Sequence, residues 1–159
     1  MIEVPLSQNK VALIDDEDSE LILGRKWHAC RRRHHWYACA YYKTPDGRES
    51  SQSMHRVLLN APPGVMVDHL NNNGLDNRRS NIRLATNSQN QANRCTLSQN
   101  TSGYKGVCWN KDSQQWQAGI KCNGRSTHLG LFASLEEAAA AYDRAAIAAF
   151  GEYARINGV

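Results

Sequence analysis

A chain of 159 residues is long enough for one ordinary domain or two small ones, and too short for a large multidomain enzyme. Its 41% hydrophobic and 21% charged residues, with no apolar run near the roughly 20 residues of a membrane helix, exclude membrane-spanning and wholly disordered proteins. Residues 25–133 hold 16 bases against 5 acids, and the acidic ends reduce the net charge of the chain to +4. This basic middle indicates either a polyanionic partner or a solvated basic face.

The first 24 residues combine an apolar strand with an acidic cluster. Val11–Ile14 is predicted to be a strand, and Asp18 or Ser19 could cap a short helix that ends near Gly24. The opening MIEVPLSQNK lacks the basic segment and apolar core of a secretion signal. We therefore expect an intracellular protein without a secretory route.

An aromatic and basic segment follows at residues 27–43, and the turn sequence TPDG stands at residues 44–47. Two strands around this turn are the simplest interpretation. Pro62 and Pro63 lack amide donors, so they should end whatever element contains residues 57–59.

The segment after these prolines is rich in Asn, Asp and Arg. Its pattern predicts a short strand at residues 65–69, a polar loop at 71–81 and a second strand at 82–85. Thr86 stands three residues before Gln89, a capping-box spacing that predicts a helix running to about Arg94. Residues 65–94 therefore form a strand, loop, strand and helix in that order.

The C-terminal part has a different pattern, with three short strands followed by one Ala-rich helix. The dipeptide Asn123-Gly124 indicates a hairpin turn between two of the strands. Ser134 and Glu137 have capping-box spacing at the start of the helix, which should stop at Gly151. Its face that should lie on the sheet carries Ala139, Tyr142, Ala146 and Phe150.

These elements predict an α+β protein in two parts. We expect an N-terminal region at residues 1–94 with its core at 55–94, a linker at 95–102 and a C-terminal domain at 103–159. The five cysteines are widely spaced and contain no Cys-x-x-Cys pair, which favours reduced thiols over a disulfide framework or a zinc ribbon.

The polar segment at residues 67–94 resembles the HNH endonuclease motif, a ββα-metal unit, in the variant that ends in Asn. The resemblance rests on Asp68-His69, on Asn81 before the second strand and on Asn90 in the following helix. The strings LDNRRSNIRLAT and MHRVLL are similar to the phage and intron-encoded homing branch of that family. The resemblance implies His69 and Asn81 as catalytic residues and Asp68 and Asn90 as metal ligands.

The chemistry of these residue types agrees with that assignment. An imidazole with an ordinary pKa of about 6.5 can accept a proton near neutral pH, which suits His69 as the general base. Asp68 and Asn90 are hard oxygen donors, suited to one Mg²⁺ or Mn²⁺ per active site. Because only Asp68 is anionic, we expect metal affinity to rise when a DNA phosphate completes the site. By resemblance, Asn81 holds the loop and orients His69.

Neighbouring strand residues point to opposite faces, so Asp68 and His69 should stand at the strand end, where the loop begins. Asp76 and Asn77 are expected to cap or brace the loop, without a catalytic role. His55 resembles an upstream His of the motif and could give either structural support or substrate contact. The phosphate contacts expected in this part of the chain are Arg78, Arg79 and Arg83.

Residues 103–157 resemble the APETALA2 or ethylene-response-factor type of DNA-binding domain. The resemblance rests on YKGVCW at 104–109, WQAGIK at 116–121, HLGLF at 128–132 and EEAAAAYDRAA at 136–146. Such domains place a three-stranded sheet in the major groove and back it with the helix, which implies double-stranded DNA as the partner. Trp116 is expected to pack beneath the helix with Phe132.

The candidate DNA contacts come from three groups. Lys105, Cys108, Lys121 and His128 stand where the plant domains carry sheet-face Arg or Trp, so the match there is partial. Further candidates by their chemistry are Trp109, Lys111 and Arg125. The N-terminal basic segment could add Arg31, Arg32 and Arg33, or it could simply complete the nuclease core.

The sequence therefore predicts a metal-dependent DNA endonuclease of the homing type, with a C-terminal DNA-binding sheet that targets it. A single active site per chain favours nicking unless two chains act together. The predicted partners are double-stranded DNA and no membrane, with a second copy or a phage partner protein left open, in the cytoplasm of a bacterial or phage-infected cell. The alternative is a sequence-specific DNA-binding regulator whose HNH unit is inactive.

Overall fold

The computed structural model describes residues 1–95 and 99–159 of the chain, and within them it is an α+β protein. This confirms the predicted fold class. Four small antiparallel sheets and four α helices are present in the described residues. They form two compact units, Met1–Ala85 and Thr86–Val159.

The first unit contains three sheets, with strand orders β1-β2, β3-β4-β5 and β6-β7. Its elements are β1 (Ile2–Pro5), β2 (Val11–Ile14), a 3₁₀ turn (Asp16–Asp18), α1 (Ser19–Leu23), β3 (Trp27–Arg32), β4 (His35–Lys43), β5 (Glu49–Ser53), α2 (Met54–Leu58), β6 (Met66–His69) and β7 (Ile82–Ala85). In all three sheets, consecutive strands pair in antiparallel orientation.

The predicted strand β2 and the helix ending near Gly24 are confirmed, with Gly24 as the C-terminal cap of α1. The basic and aromatic segment forms a hairpin of β3 and β4, and β5 follows the predicted turn at residues 44–47. The turn between β3 and β4 contains Arg33 with a left-handed φ of +56°. Arg is not a typical turn residue, so the sequence pattern did not indicate where this reversal lies.

The core of the first unit is small and apolar. Ile14, Ile22 and Met54 are fully buried in it, and Trp27 donates a 2.8 Å hydrogen bond from its indole nitrogen to the carbonyl of Ile22. Ile82 of β7 packs in the same cluster. The β6–β7 hairpin therefore packs against this core through Ile82.

The second unit is a helix, a three-stranded sheet of order β8-β9-β10 and a long final helix. Its elements are α3 (Asn87–Asn93), β8 (Val107–Asn110), β9 (Gln115–Cys122), β10 (Arg125–Phe132), α4 (Leu135–Phe150) and a 3₁₀ turn (Gly151–Tyr153). The predicted turn at Asn123-Gly124 is confirmed, with both residues at positive φ. The Thr86 capping box is also confirmed, because both of its hydrogen bonds are present.

Helix α4 lies against the sheet through the face that the sequence predicted. Ala139, Tyr142, Ala146 and Phe150 are all buried, and Trp116 and Phe132 pack beneath the helix. Gly151 caps the helix with a φ of +54°. Small residues at this face allow the close approach of helix and sheet.

Residues 96–98 lie outside the described residues, so the predicted linker at 95–102 stays a prediction. No helix within the described ranges is long and apolar enough to cross a membrane. The five cysteines are all unpaired, as predicted.

Gly106 is the position in the second unit where a side chain should do most harm. A Cβ there would collide with the ring of Tyr142 and lie 2.8 Å from the carbonyl oxygen of Gly119, and the φ of +74° adds strain. We expect Gly106→Ala to lower the free energy of unfolding by about 2–4 kcal/mol. Gly124→Ala is the matched control, since φ is +81° but nothing lies within 4 Å, so only about 1 kcal/mol should be lost. Equal losses in urea unfolding would show that packing against Tyr142 is not the cause.

Candidate active site

Asp68 and His69 are the last two residues of β6, at the strand end where the sequence expected them. Pairing with β7 puts Asp68 opposite Arg83 and His69 opposite Ile82. Both side chains are buried, with 3% and 7% of their surface exposed. Asp68 accepts two hydrogen bonds at Oδ2, from Arg83 Nε at 3.0 Å and from Nη2 at 2.9 Å. The strand end thus holds a buried, paired carboxylate beside a buried imidazole.

The loop at residues 70–81 is held by Asn81. Its Oδ1 accepts from the backbone nitrogen of Asn71 at 3.1 Å, and its Nδ2 donates to Asn71 Oδ1 at 3.0 Å and to the Asp76 carbonyl at 2.7 Å. These bonds close the loop on itself, and none of them reaches His69, which the resemblance expected Asn81 to orient. A part for Asn81 in catalysis stays a prediction.

The imidazole of His69 is oriented by Asn77, which is completely buried. His69 Nε2 and Asn77 Oδ1 are 3.3 Å apart, and because an amide oxygen can only accept, Nε2 carries the proton that is donated. The lone pair of the ring then resides on Nδ1. Burial lowers the pKa of His69, so the ring is neutral near neutral pH. This is the protonation state that a general base requires.

His55 on α2 lies beside this imidazole. The two rings are 5.0 Å apart and perpendicular, and the ring of Tyr37 lies 5.6 Å from His55 and 6.0 Å from His69. His55 Nδ1 is buried and has no hydrogen-bond partner among the described residues. The structure therefore places His55 in the wall of the candidate site, and whether it contacts substrate stays a prediction.

Acid should destabilise the first unit through His55. Burial lowers the pKa of His55 to about 3, with smaller contributions from His69, Arg32 and Arg56. Below pH 6.5 the unfolded chain takes up a proton that the folded chain does not, so the free energy of unfolding falls by about 1.4 kcal/mol per pH unit. We expect the loss between pH 7.5 and 5 in urea unfolding to be about 2 kcal/mol smaller in His55→Phe, which cannot titrate. The same loss in both proteins would contradict this account.

The three arginines expected to contact phosphate are all bound to carboxylates. Arg78 donates to both oxygens of Asp76, from Nε and Nη2 at 2.7 Å each. Arg79 binds Asp18 at 2.7 Å, and Arg83 binds Asp68 as described above. These contacts use the guanidinium groups to neutralise acids within the fold, so the structure gives them a bracing role that the sequence did not predict.

The remaining candidates for DNA contact, apart from Lys105, lie on exposed surfaces. Arg31, Arg32 and Arg33 are exposed on the β3–β4 hairpin, where the Arg31 guanidinium lies 5.9 Å from the Trp36 ring. In the second unit, pairing of β9 with β10 puts Lys121 beside Ser126 and His128 beside Gly119, on the sheet face opposite α4. Exposed positions among the other candidates are Cys108, Trp109, Lys111 and Arg125.

Lys105 lies apart from those exposed cations. Its Nζ donates to the backbone carbonyls of Ala92 and, at 2.9 Å, of Arg94, at the end of α3. The sequence predicted a DNA contact for this residue, and the structure places its ammonium group on a helix terminus instead.

Asp68 offers a carboxylate oxygen, and Asn90, half-buried on α3, offers an amide oxygen. Mg²⁺ and Mn²⁺ prefer ligands of both kinds, and one cation shared by the two residues stays a prediction. A cation bound to Asp68 would share this carboxylate with the guanidinium of Arg83.

Two residues of the site were missed by sequence reasoning, Asn77 as the partner of His69 and Tyr37 as the ring beside both histidines. Asn77 lies eight positions after His69 in a loop full of Asn, so no spacing singles it out. Tyr37 comes from another sheet, and no local pattern points to it. Only the tertiary structure shows that Asn77 is buried and contacts His69.

Comparison with known proteins identifies both parts of the chain. Residues 60–92 match the HNH endonuclease model and residues 102–152 match the AP2 domain model. The chain is 31% identical over 117 residues to Protein 3.8 of Escherichia phage T7. The aligned residues cover 74% of this chain and 94% of that protein. It is 35% identical over 96 residues to an uncharacterized HNH endonuclease of Acanthamoeba polyphaga mimivirus, covering 60% of this chain and 49% of that protein.

Proposed function

The chain belongs to the HNH endonucleases that carry an AP2 DNA-binding domain, and from this membership we propose that it is a metal-dependent DNA endonuclease of the homing type that nicks one strand. DNA is the partner that both domains imply. HNH endonuclease domains generally depend on a divalent metal, and we propose one Mg²⁺ or Mn²⁺ per chain.

The observation that carries the proposal is the buried imidazole of His69, held by Asn77 and next in sequence to the buried carboxylate of Asp68. A neutral imidazole can take a proton from water, and the bond to Asn77 Oδ1 keeps its Nδ1 as the basic atom. Burial also excludes bulk water from around the ring, which strengthens the electrostatic interactions of the site. A solvated surface His would have neither a fixed tautomer nor surroundings from which bulk water is excluded.

In the proposed reaction, His69 accepts the proton of the water that attacks the phosphodiester phosphorus, the bond from phosphorus to the leaving oxygen breaks, and a second water protonates that oxygen. Asp68 and Asn90 would hold the divalent cation, and Asn81 keeps the loop closed so that the strand end stays fixed. The cation, when bound, neutralises charge that develops on the phosphate and on the leaving oxygen. Metal affinity should rise on DNA binding, because Asp68 is the only anionic ligand of the chain.

We assign DNA contact to exposed residues of both units. They are Arg31, Arg32, Arg33, Lys111, Lys121, Arg125 and His128. Trp109 is left out, because it pairs with Trp116 on the sheet face that α4 covers. Because Arg78, Arg79 and Arg83 are bound to buried or partly buried carboxylates, they are left out of this assignment. The AP2 sheet then raises the effective concentration of the catalytic unit at its target.

The proposal is tested by digesting a pool of random duplexes with the full chain and Mg²⁺ and sequencing the new ends. New ends at a fixed distance from one shared sequence, on one strand, are expected. Ends on both strands would show a double-strand cut, and binding of the pool without new ends in Mg²⁺ or Mn²⁺ would favour a DNA-binding regulator with an inactive HNH unit.

A further inference from the structure

Helix α3 is built into the second unit, together with the DNA-binding sheet. Ala92 of α3 packs in one buried cluster with Ile120 of β9 and with Tyr142 and Phe150 of α4. The hydroxyl of Ser88 on α3 accepts a 3.0 Å hydrogen bond from the backbone nitrogen of Asn123 in the β9–β10 turn. The last helix of the HNH motif thus folds with the AP2 domain.

Lys105 holds the end of this helix. The last carbonyls of a helix have no partner within it, and they carry the negative end of the helix dipole. Lys105 Nζ supplies both a donor and a positive charge there, since it donates to the carbonyls of Ala92 and Arg94 and lies 3.5 Å from that of Gln91. Burial lowers the pKa of this ammonium to about 8, which reflects how far it is withdrawn from water.

The backbone of Lys105 is fixed in turn to α4. Its nitrogen donates to Asn157 Oδ1 at 2.7 Å and its carbonyl accepts from Asn157 Nδ2 at 3.2 Å. The nitrogen of Asn157 donates to Oδ1 of Asp143 at 2.7 Å, and Asp143 is buried on α4. A continuous chain of hydrogen bonds therefore runs from α4 through Asn157 and Lys105 to the end of α3.

We propose that Lys105 is a positioning residue of the nuclease, which fixes the helix bearing Asn90 to the domain whose sheet binds DNA. This inference rests on the proposed function, in which Asn90 is a metal ligand. It gives the second unit a part in holding Asn90, in addition to the targeting role of its sheet. The ammonium of Lys105 acts through α3 and touches no phosphate.

The two roles available to Lys105 predict opposite results for Lys105→Met in the full chain. If Lys105 is a positioning residue, the substitution leaves DNA affinity in EDTA unchanged within about twofold. Cleavage at saturating DNA then slows by about tenfold to a hundredfold. Amide hydrogens of α3 should also exchange faster with deuterium, because the helix end loses its donor. Lys105→Arg keeps donors and charge and should restore most of the rate.

Lys111→Met is the matched control, since Lys111 is exposed on the same domain. It should weaken DNA affinity and leave exchange in α3 unaltered. Weaker DNA binding by Lys105→Met with unaltered exchange in α3 would overturn the proposal and make Lys105 a DNA contact. Faster exchange in α3 with an unaltered cleavage rate would also overturn it, because the helix end would then not matter to the reaction.

The outcomes separate this inference from the proposed function. If the wild-type chain does not cleave DNA at all, the nuclease proposal fails, and the exchange of α3 still decides whether Lys105 holds the helix. If Lys105→Met does not fold, the cleavage rate and the α3 amide exchange of Lys105→Arg test the inference. A Lys105→Arg protein that cleaves as slowly as His69→Ala, although it keeps its donors, would contradict the inference.

Discussion

His69→Ala should slow DNA cleavage by about 10²- to 10⁴-fold, which is the contribution typical of a general base. The alanine removes the group that takes the proton from water, while the loop bonds of Asn81 do not depend on the imidazole. DNA affinity should stay within about twofold, because His69 is buried and makes no part of the exposed basic surfaces. The measurement is a single-turnover rate at saturating DNA with Mg²⁺.

His34→Ala is the control for this variant, since His34 is exposed in the β3–β4 turn and belongs to no part of the candidate site. Its cleavage rate at saturating DNA should equal that of the wild type. A His69→Ala protein that cleaves within threefold of the wild-type rate would remove His69 from the reaction, whatever its effect on DNA binding.

Arg83→Leu should lower the free energy of unfolding by about 3–5 kcal/mol, the range for removing one partner of a buried ion pair. Asp68 is 3% exposed, and Arg83 donates two hydrogen bonds to its Oδ2. Without the guanidinium, that carboxylate loses its nearest positive charge in a place that water barely reaches. Urea unfolding at pH 7.5 measures the difference.

Arg48→Leu is the matched control for Arg83→Leu. Arg48 pairs with Asp46 at 2.8 Å, but its side chain is 83% exposed, and such surface pairs contribute at most about 1 kcal/mol. Similar losses of unfolding free energy in the two variants would mean that the burial of Asp68 does not determine how much its ion pair stabilises the fold.

Local sequence patterns were sufficient where a single element decides the structure. The capping box of Thr86, the turn at Asn123-Gly124 and the apolar face of α4 each depend on neighbours a few residues apart. The position of Asp68 and His69 at a strand end was expected because the resemblance needs both side chains at one site, and alternation within a regular strand would separate them. These features could be predicted because their causes lie within one segment.

Contacts between distant segments could not be predicted in this way. Arg79 binds Asp18, 61 positions earlier, and Lys105 binds the carbonyl of Ala92, 13 positions earlier. A loop of Arg and Asn has the composition of a phosphate-binding surface, whether its cations face solvent or acids of the same fold. Only the tertiary structure decides which of them are available to DNA, as it also decides that Asn77 orients His69.

Relaxation of a supercoiled plasmid by the purified wild-type chain is the most direct test that this protein is a metal-dependent nuclease. With Mg²⁺ we expect conversion to a persistent open circle, and with EDTA no conversion. Binding of the plasmid without any conversion in Mg²⁺ or Mn²⁺, or conversion that continues unchanged in EDTA, would contradict the account.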